Sequence, residues 1–528
     1  MRSLAIAPDG RHFLLGTDWS LRYYHRSGEQ VWQAQVPGVV WGVNVSGDGR
    51  LGVAALGDGT IRWYRLTDGE ELLALFPHAD GERWVAWTPE GFFDHSPGGE
   101  RLLGYQLNRG RERAAEFVAV ERLYEDFYRP DLVARKLTES DRGRFLTELV
   151  AIGDVRALLA VSSAPEIRIL APADGARFPA AEAKLRLKLS DRGGGIGRIR
   201  VRLNGVTVAF ATGVGADGIL EQPLRLAPGE NRLEISAFDA DNQLESQAAV
   251  LSVHGPADPA APATVHVLVI GVGDYGYRQL ATGRPSRGAE RLAAAFRGLH
   301  RQGRPVSVHE LIGPVAVAAI RAKFEELAGG MAAGDSLLLY LAGRGWTMGG
   351  GHAWLPSDIL SDRYGHIQEQ GLDQKEFLEF LAVPATRGVL FLESYRARPA
   401  RAVKGVLAER TAWERLQRAS GRPLLAVNAD FERGEDGSVL TSFFKAQIKL
   451  LNQYLLPRKQ QSYNTTGKDQ GTGDLAVALV RTLEGLDRDL EGLDRGLGTS
   501  LAGACARHLR AQGDDGLRIH LLTGSDGR

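Results

Sequence analysis

The stretch Leu338-Leu-Tyr-Leu-Ala-Gly-Arg-Gly-Trp346 decides how this chain folds. It continues the turn residues Gly334-Asp-Ser336 and reads as a short apolar strand that closes on Gly343-Arg-Gly345. A second strand of the same kind, Gly388-Val-Leu-Phe-Leu392, runs into Glu393-Ser-Tyr-Arg396. Upstream lie the apolar strand Val265-His-Val-Leu-Val-Ile-Gly-Val272 and a strand over 306–312. Helical spacing over Gly288–His300 and over 315–328 separates these strands. Strands alternating with helices predict an α/β domain over 265–528, with a mostly parallel sheet and helices on both faces. In such a sheet the functional crevice lies at the carboxyl ends of the strands. Arg344 and Tyr395 both fall at such ends, and Glu393 and Arg396 complete a candidate binding groove.

Other features of this half are weaker. Gly271-Val-Gly273 suggests nucleotide binding, but no third glycine opens a helix at the required place. Residues 445–456 have the character of a helix, and Pro457–Gln470 that of an exposed loop open to a recognition role. The repeat Gly-Leu-Asp-Arg within Glu484–Arg495 reads as a solvated helix face or connector.

Residues 165–254 change character. Leu185-Arg-Leu-Lys-Leu189, Ile199-Arg-Val-Arg-Leu203 and Arg232-Leu-Glu-Ile-Ser-Ala-Phe238 alternate strictly, and Asn204-Gly205 signals a hairpin. Short strands at regular spacing predict an immunoglobulin-like β-sandwich serving as a spacer. Gly255–Thr264 is too rich in Pro and Ala for regular structure and reads as a linker.

Residues 1–110 repeat with a period near 40. Ala7-Pro-Asp-Gly-Arg11 matches Ser46-Gly-Asp-Gly-Arg50, and Thr17–Tyr24 matches Gly57–Tyr64. A shortened third copy begins at Trp84-Val-Ala-Trp-Thr-Pro-Glu-Gly91. Asp-Gly turns between apolar strands at this spacing predict incomplete WD-type β-propeller blades. Trp19, Trp63 and Tyr64 are expected to pack within the blades. Two blades and part of a third fall short of a closed ring, which needs at least four. Truncation of a longer chain, blades from a partner chain, or packing on neighbouring domains would each complete them. Asp94 and His95 sit beside Ser96-Pro-Gly-Gly99 and are assigned to a turn rather than to a metal or catalytic site. Residues 111–164 form a connector, helical over 131–161.

Composition narrows the function classes. With 64 basic and 64 acidic residues there is no global pull toward nucleic acid or an anionic membrane. The single cysteine, Cys505, excludes a disulfide framework and a cysteine-based zinc site. No apolar stretch is long enough for a signal peptide or a membrane span, and a cytoplasmic location is the expectation.

Several phrases together resemble bacterial multidomain proteins that join WD repeats to caspase-like cysteine peptidase domains. In that family the first strand end usually carries Leu-Ala-Gly-His-Gly, and here Arg344 stands at the histidine position. The second usually ends Leu-Asp-(Ala/Thr)-Cys-(Arg/His)-Ser, and here Tyr395 stands at the cysteine position. His352-Ala-Trp-Leu-Pro-Ser-Asp358 resembles the phrase beyond the catalytic histidine, and Gly288 stands where an aspartate is usual. Pro423–Ala429 and Ser438–Phe444 resemble the later strand and helix. An arginine stays protonated and cannot serve as general base, and a tyrosine hydroxyl is a poor nucleophile near neutrality. Ser394 points away from the Tyr395 face of its strand and is expected to lack an activating histidine.

The resemblance therefore implies a pseudo-peptidase without cofactor or metal. It would be a scaffold or regulatory subunit for an active caspase-like homologue or another effector, in bacterial defence or stress signalling. Two rivals stand. One is an enzyme with an unusual nucleophile or one completed by a partner chain. The other is an adaptor whose blades bind a target protein.

Overall fold

Alternating apolar residues and Asp-Gly turns build the first part of the chain. The computed structural model describes residues 1–108, 111, 115–138, 142–161, 163–257, 263–281, 283–301, 306–348, 350–396, 404–422, 424–429 and 518–522. These fall into two units. The first comprises Met1–Ala164 with Arg192–Gly195 and Asp239–Glu245. The second comprises Pro165–Asp191, Ile196–Phe238 and Ser246–Arg528.

In the first unit Ser3–Ile6, His12–Gly16, Ser20–His25 and Gln30–Gln35 pair in chain order as one antiparallel sheet. The strands from Val40–Val45 to Phe93–His95 form a second antiparallel sheet, of six strands. The repeated Asp-Gly is a repeated turn. The carboxylates of Asp9, Asp48 and Asp58 each accept from a backbone N–H two residues on, at 2.8, 3.1 and 2.9 Å. Leu14, Leu21, Tyr23, Trp32, Val40, Ala54 and Tyr64 fill one core.

Three expectations change here. Trp84–Trp87 and Phe93–His95 extend the second sheet and do not start a separate third blade; among the described residues no closed propeller forms. Tyr64 is buried and Trp63 partly so, but Trp19 is 62% exposed, because it sits in the turn before its strand. Asp94 and His95 are strand residues, paired with Ala86 and Val85, and the turn begins at Ser96.

Within the second unit, Glu166–Ala171, Glu182–Ser190 and Ile219–Arg225 form a three-stranded antiparallel sheet. Val206–Ala211, Ile199–Leu203, Glu230–Ala237 and Ala249–His254 form a four-stranded one, in that order. Leu185, Leu187 and Leu189 of the first sheet share a core with Val201, Leu203, Leu233 and Ile235 of the second. Their alternation puts every second residue inside, which packs the two antiparallel sheets face to face as a β-sandwich. Asn204 (φ 53°) and Gly205 (φ 82°) make the two-residue hairpin turn that needs positive φ at both places.

Among the described residues the α/β part is a mixed sheet of eight strands. Val306–Gly313, Val265–Val272, Ser336–Met348, Arg387–Arg396 and Leu424–Ala429 lie side by side, all parallel. Arg518–Leu522 closes that order antiparallel. Gly351–Trp354 folds back on the end of Ser336–Met348, and Leu372–Asp373 pairs with it. Helix Arg284–Arg301 covers one face, where a Cβ on Gly271 would press into Ala289. Gly271 is thus required by close helix–strand approach, which accounts for half of the Gly-x-Gly signal. Helices Val317–Gly330, Gln374–Phe380 and Lys404–Ser420 cover the other face, with Phe324, Leu327, Phe377 and Trp413 packed on Leu268, Ile270, Leu339 and Leu392.

The sandwich meets this layer through the carboxyl ends of two helices. Thr207 Oγ1 donates to Ala419 O at 2.6 Å, and Arg202 donates to Arg418 O at 2.8 Å. Arg225 donates to Met331 O and, at 3.1 Å, to Gly329 O. The last carbonyls of a helix lack intrahelical donors and carry partial negative charge, so hydroxyl and guanidinium donors there are favourable.

Candidate functional site

Arg344 and Tyr395 are direct partners across two adjacent parallel strands, and Ala342–Glu393, Gly343–Ser394 and Gly345–Arg396 pair in the same register. Side chains alternate along a strand, so Arg344, Glu393 and Tyr395 take one face of the sheet and Ser394 the other. Arg396 is placed by its backbone at the end of its strand.

The first face is closed. Arg344 and Tyr395 are each 2% exposed and Glu393 is 0% exposed. Tyr395 donates its hydroxyl to Glu393 Oε1 at 2.6 Å, and Tyr340 donates to Oε2 at 2.9 Å. Both carboxylate oxygens therefore hold a hydroxyl, as buried polar oxygens require. Arg344 Nε donates to Leu280 O at 2.9 Å, and its backbone N–H donates to the Tyr275 hydroxyl at 2.8 Å. Tyr275 in turn donates to Val272 O at 3.1 Å, and burial raises its pKa. Arg344, Glu393 and Tyr395 are thus brought together, but they face inward and spend hydrogen bonds on the protein itself.

The second face holds a constellation that sequence reasoning missed. His352 Nε2 lies 3.2 Å from Ser394 Oγ, and His352 Nδ1 lies 2.8 Å from Thr347 Oγ1. The hairpin between Thr347 and His352, which are register partners, returns the histidine under the strand end. The His352 backbone N–H donates to Gln374 Oε1 at 3.0 Å. The rings of Trp354 and Trp413 lie 4.7 and 4.6 Å from the imidazole. Gly345 is needed here, because a Cβ would press on both Ser394 Oγ and His352 Nε2.

Ser394 therefore does have a histidine, contrary to expectation. Nucleophile, base and orienting hydroxyl have the order that nucleophilic catalysis uses. Two facts oppose that use. Ser394 and His352 are buried, and burial pushes the His352 pKa down to about 3. So weak a base takes a serine proton poorly. The only sequence signal was a histidine in a short segment just past the strand.

Asp94 and His95 lie in the other unit, where His95 Nδ1 is 2.8 Å from Ser96 O and 3.2 Å from Glu100 Oε2. Cys505, the 445–470 segment and Glu484–Arg495 lie outside the described residues. Among the described residues no group of three or more His, Cys, Asp and Glu could hold a metal ion. Among the same residues no helix is long and apolar enough to cross a membrane.

No family model and no curated protein matches the chain. Among solved structures, the fibronectin(III)-like modules of Clostridium thermocellum CbhA are similar, at 18% identity over 17% of this chain and 97% of that one, with a TM-score of 0.15. A likeness of that size says nothing about activity.

Proposed function

We propose that this chain is a non-catalytic caspase-like homologue, a scaffold or regulatory subunit for an active caspase-like peptidase or another effector in the cytoplasm. The observation that supports it is the register pair Arg344–Tyr395 at the carboxyl ends of adjacent parallel strands. That is where a parallel sheet carries its chemistry, and neither residue can supply a thiolate or a titratable imidazole. The WD-type reading of the first unit belongs to the same proposal, with its antiparallel sheets as the surface that meets a partner. The test mixes the purified chain with a caspase-like peptidase from the same cells. The chain alone cleaves no peptide library and takes no thiol-directed probe. The peptidase binds it, and the peptidase turnover changes. Turnover by the chain alone, or a peptidase that neither binds nor responds, overturns the proposal.

The Ser394–His352 contact favours a second reading, a hydrolase with serine as the unusual nucleophile. Covalent labelling of Ser394 by a fluorophosphonate, lost in Ser394→Ala, would establish it. Absence of labelling in the folded protein removes it.

A further inference from the structure

We propose that His266 and His309 form an acid-sensitive latch on the edge strand Val306–Gly313. The latch holds that strand against its neighbour while at most one of the two imidazoles is protonated, and loosens it when both are. Among the described residues Val306–Gly313 ends the sheet and pairs on one side only, with Val265–Val272. His266 pairs with Ser307 and Leu268 with His309, a register that puts both histidines and Ser307 on one face. The two rings are nearly parallel, with 15° between their planes and centroids 5.7 Å apart. Their facing nitrogens, His266 Nδ1 and His309 Nε2, are 3.4 Å apart.

One proton fits between those nitrogens, carried by one ring and accepted by the lone pair of the other. A doubly protonated pair has an N–H on each facing nitrogen and no lone pair between them. A weak attraction then becomes a contact between two cations. The Ser307 hydroxyl, 3.1 Å from His309 Nε2, rotates to donate or to accept and can serve either state of that ring.

The charged neighbours favour one cation and oppose two. Asp335 Oδ2 lies 3.4 Å from His266 Nε2 and supports a charge on that ring. Its carboxylate is fixed by the backbone N–H groups of Thr264 at 2.8 Å and Ala332 at 2.7 Å. His309 has weaker support. On the covering helix Val317–Gly330, Glu326 Oε1 is 3.8 Å from His309 Nδ1, beyond hydrogen-bond reach, and Glu326 already holds the Lys323 ammonium. Arg297 and Glu310 pair with each other on the opposite face. Burial, then His266 and Lys323, push the His309 pKa below its ordinary value.

Folded His309 therefore refuses a proton that it accepts once the strand has opened. The hold is complete above the ordinary imidazole value of 6.5 and is lost as the pH falls below it. At pH 5.5, about one unit lower, one refused proton multiplies the open population about tenfold. Opening bares the N–H and C=O row of Val265–Val272 on that side, and a bare row is an edge onto which another strand can pair.

The test is hydrogen–deuterium exchange of the full chain at pH 7.5 and 5.5, corrected for the intrinsic exchange rate at each pH, with the central strand Ser336–Met348 as internal reference. Relative to that strand, Val306–Gly313 is expected to lose about tenfold in protection in the wild type and less than about twofold in His309→Gln, whose amide does not titrate in this range. His266→Gln, which removes the facing cation, is expected to shrink the loss as well and serves if His309→Gln fails to fold. An edge strand that keeps its protection at pH 5.5, or a loss undiminished in the folded variants, overturns the latch.

Discussion

His352 makes the stability of the second unit sensitive to mild acid. Its imidazole is enclosed by Trp354, Trp413 and Ser394, and burial lowers its pKa from the ordinary 6.5 to about 3. Above pH 6.5 the group is neutral in both states and costs nothing. Between 6.5 and 3 the unfolded chain takes up a proton that the folded one refuses, so stability falls as the pH falls. At pH 5.0 the loss is about 1.5 pH units at 1.36 kcal/mol each, or about 2 kcal/mol. Urea unfolding at pH 7.5 and 5.0 measures it in the wild type and in His352→Gln, whose amide does not titrate there. Other groups cancel between the two proteins, including His309, which burial also shifts downward. The lowered carboxylates Asp9 and Asp48, held near 2 by hydrogen bonds from their own turns, titrate below this window. The wild type is expected to lose about 2 kcal/mol more than the variant over this interval. A difference below about 0.5 kcal/mol would refute the reasoning, since the imidazole would then be accepting its proton in the folded state.

Three further substitutions probe the same unit. Tyr395→Phe removes one of the hydroxyls on the buried Glu393 carboxylate and is expected to cost about 1.5–3 kcal/mol by urea unfolding. A neutral result would mean that other groups already satisfy that oxygen. Gly345→Ala drives a methyl into Ser394 and His352, at a cost of about 1–3 kcal/mol, and a silent Gly345→Ala would show that the strand end yields. Thr207→Val keeps shape but strips Ala419 O of its donor, for about 1–3 kcal/mol read as a lower unfolding midpoint.

The sequence carried the strands better than the sites. Val265–Val272 and the apolar first part of Ser336–Met348 were legible as apolar runs bounded by turn residues, but the second strand runs on past its expected close at Gly343–Gly345 to pair with Gly351–Trp354. The sandwich was legible because Leu185-Arg-Leu-Lys-Leu189 keeps strict alternation over a buried face. The third blade was misread, because a run such as Trp84–Trp87 says that a strand exists and not which sheet it joins. Trp19 was misread because an aromatic beside a strand is packed or exposed according to a turn that no periodicity encodes.

The pairing of Arg344 with Tyr395 followed from their places at strand ends, yet their burial did not. A residue at the carboxyl end of a parallel strand faces a crevice only if the adjoining loops leave one. Here those loops supply Tyr275 and the Leu280 carbonyl, which receive hydrogen bonds from Arg344. The contact between Ser394 and His352 spans 42 residues and depends on a hairpin whose tightness the letters do not state. Both faces of the strand end are thus finished with internal hydrogen bonds: tyrosines on a carboxylate on one side, serine and threonine on an imidazole on the other. A working groove leaves some of its polar groups unspent for a substrate, whereas groups spent in this way stabilise the sheet end. That distinction lies in where the hydrogen bonds go, and it favours a role for this pole in holding the domain's shape over a role in breaking a bond.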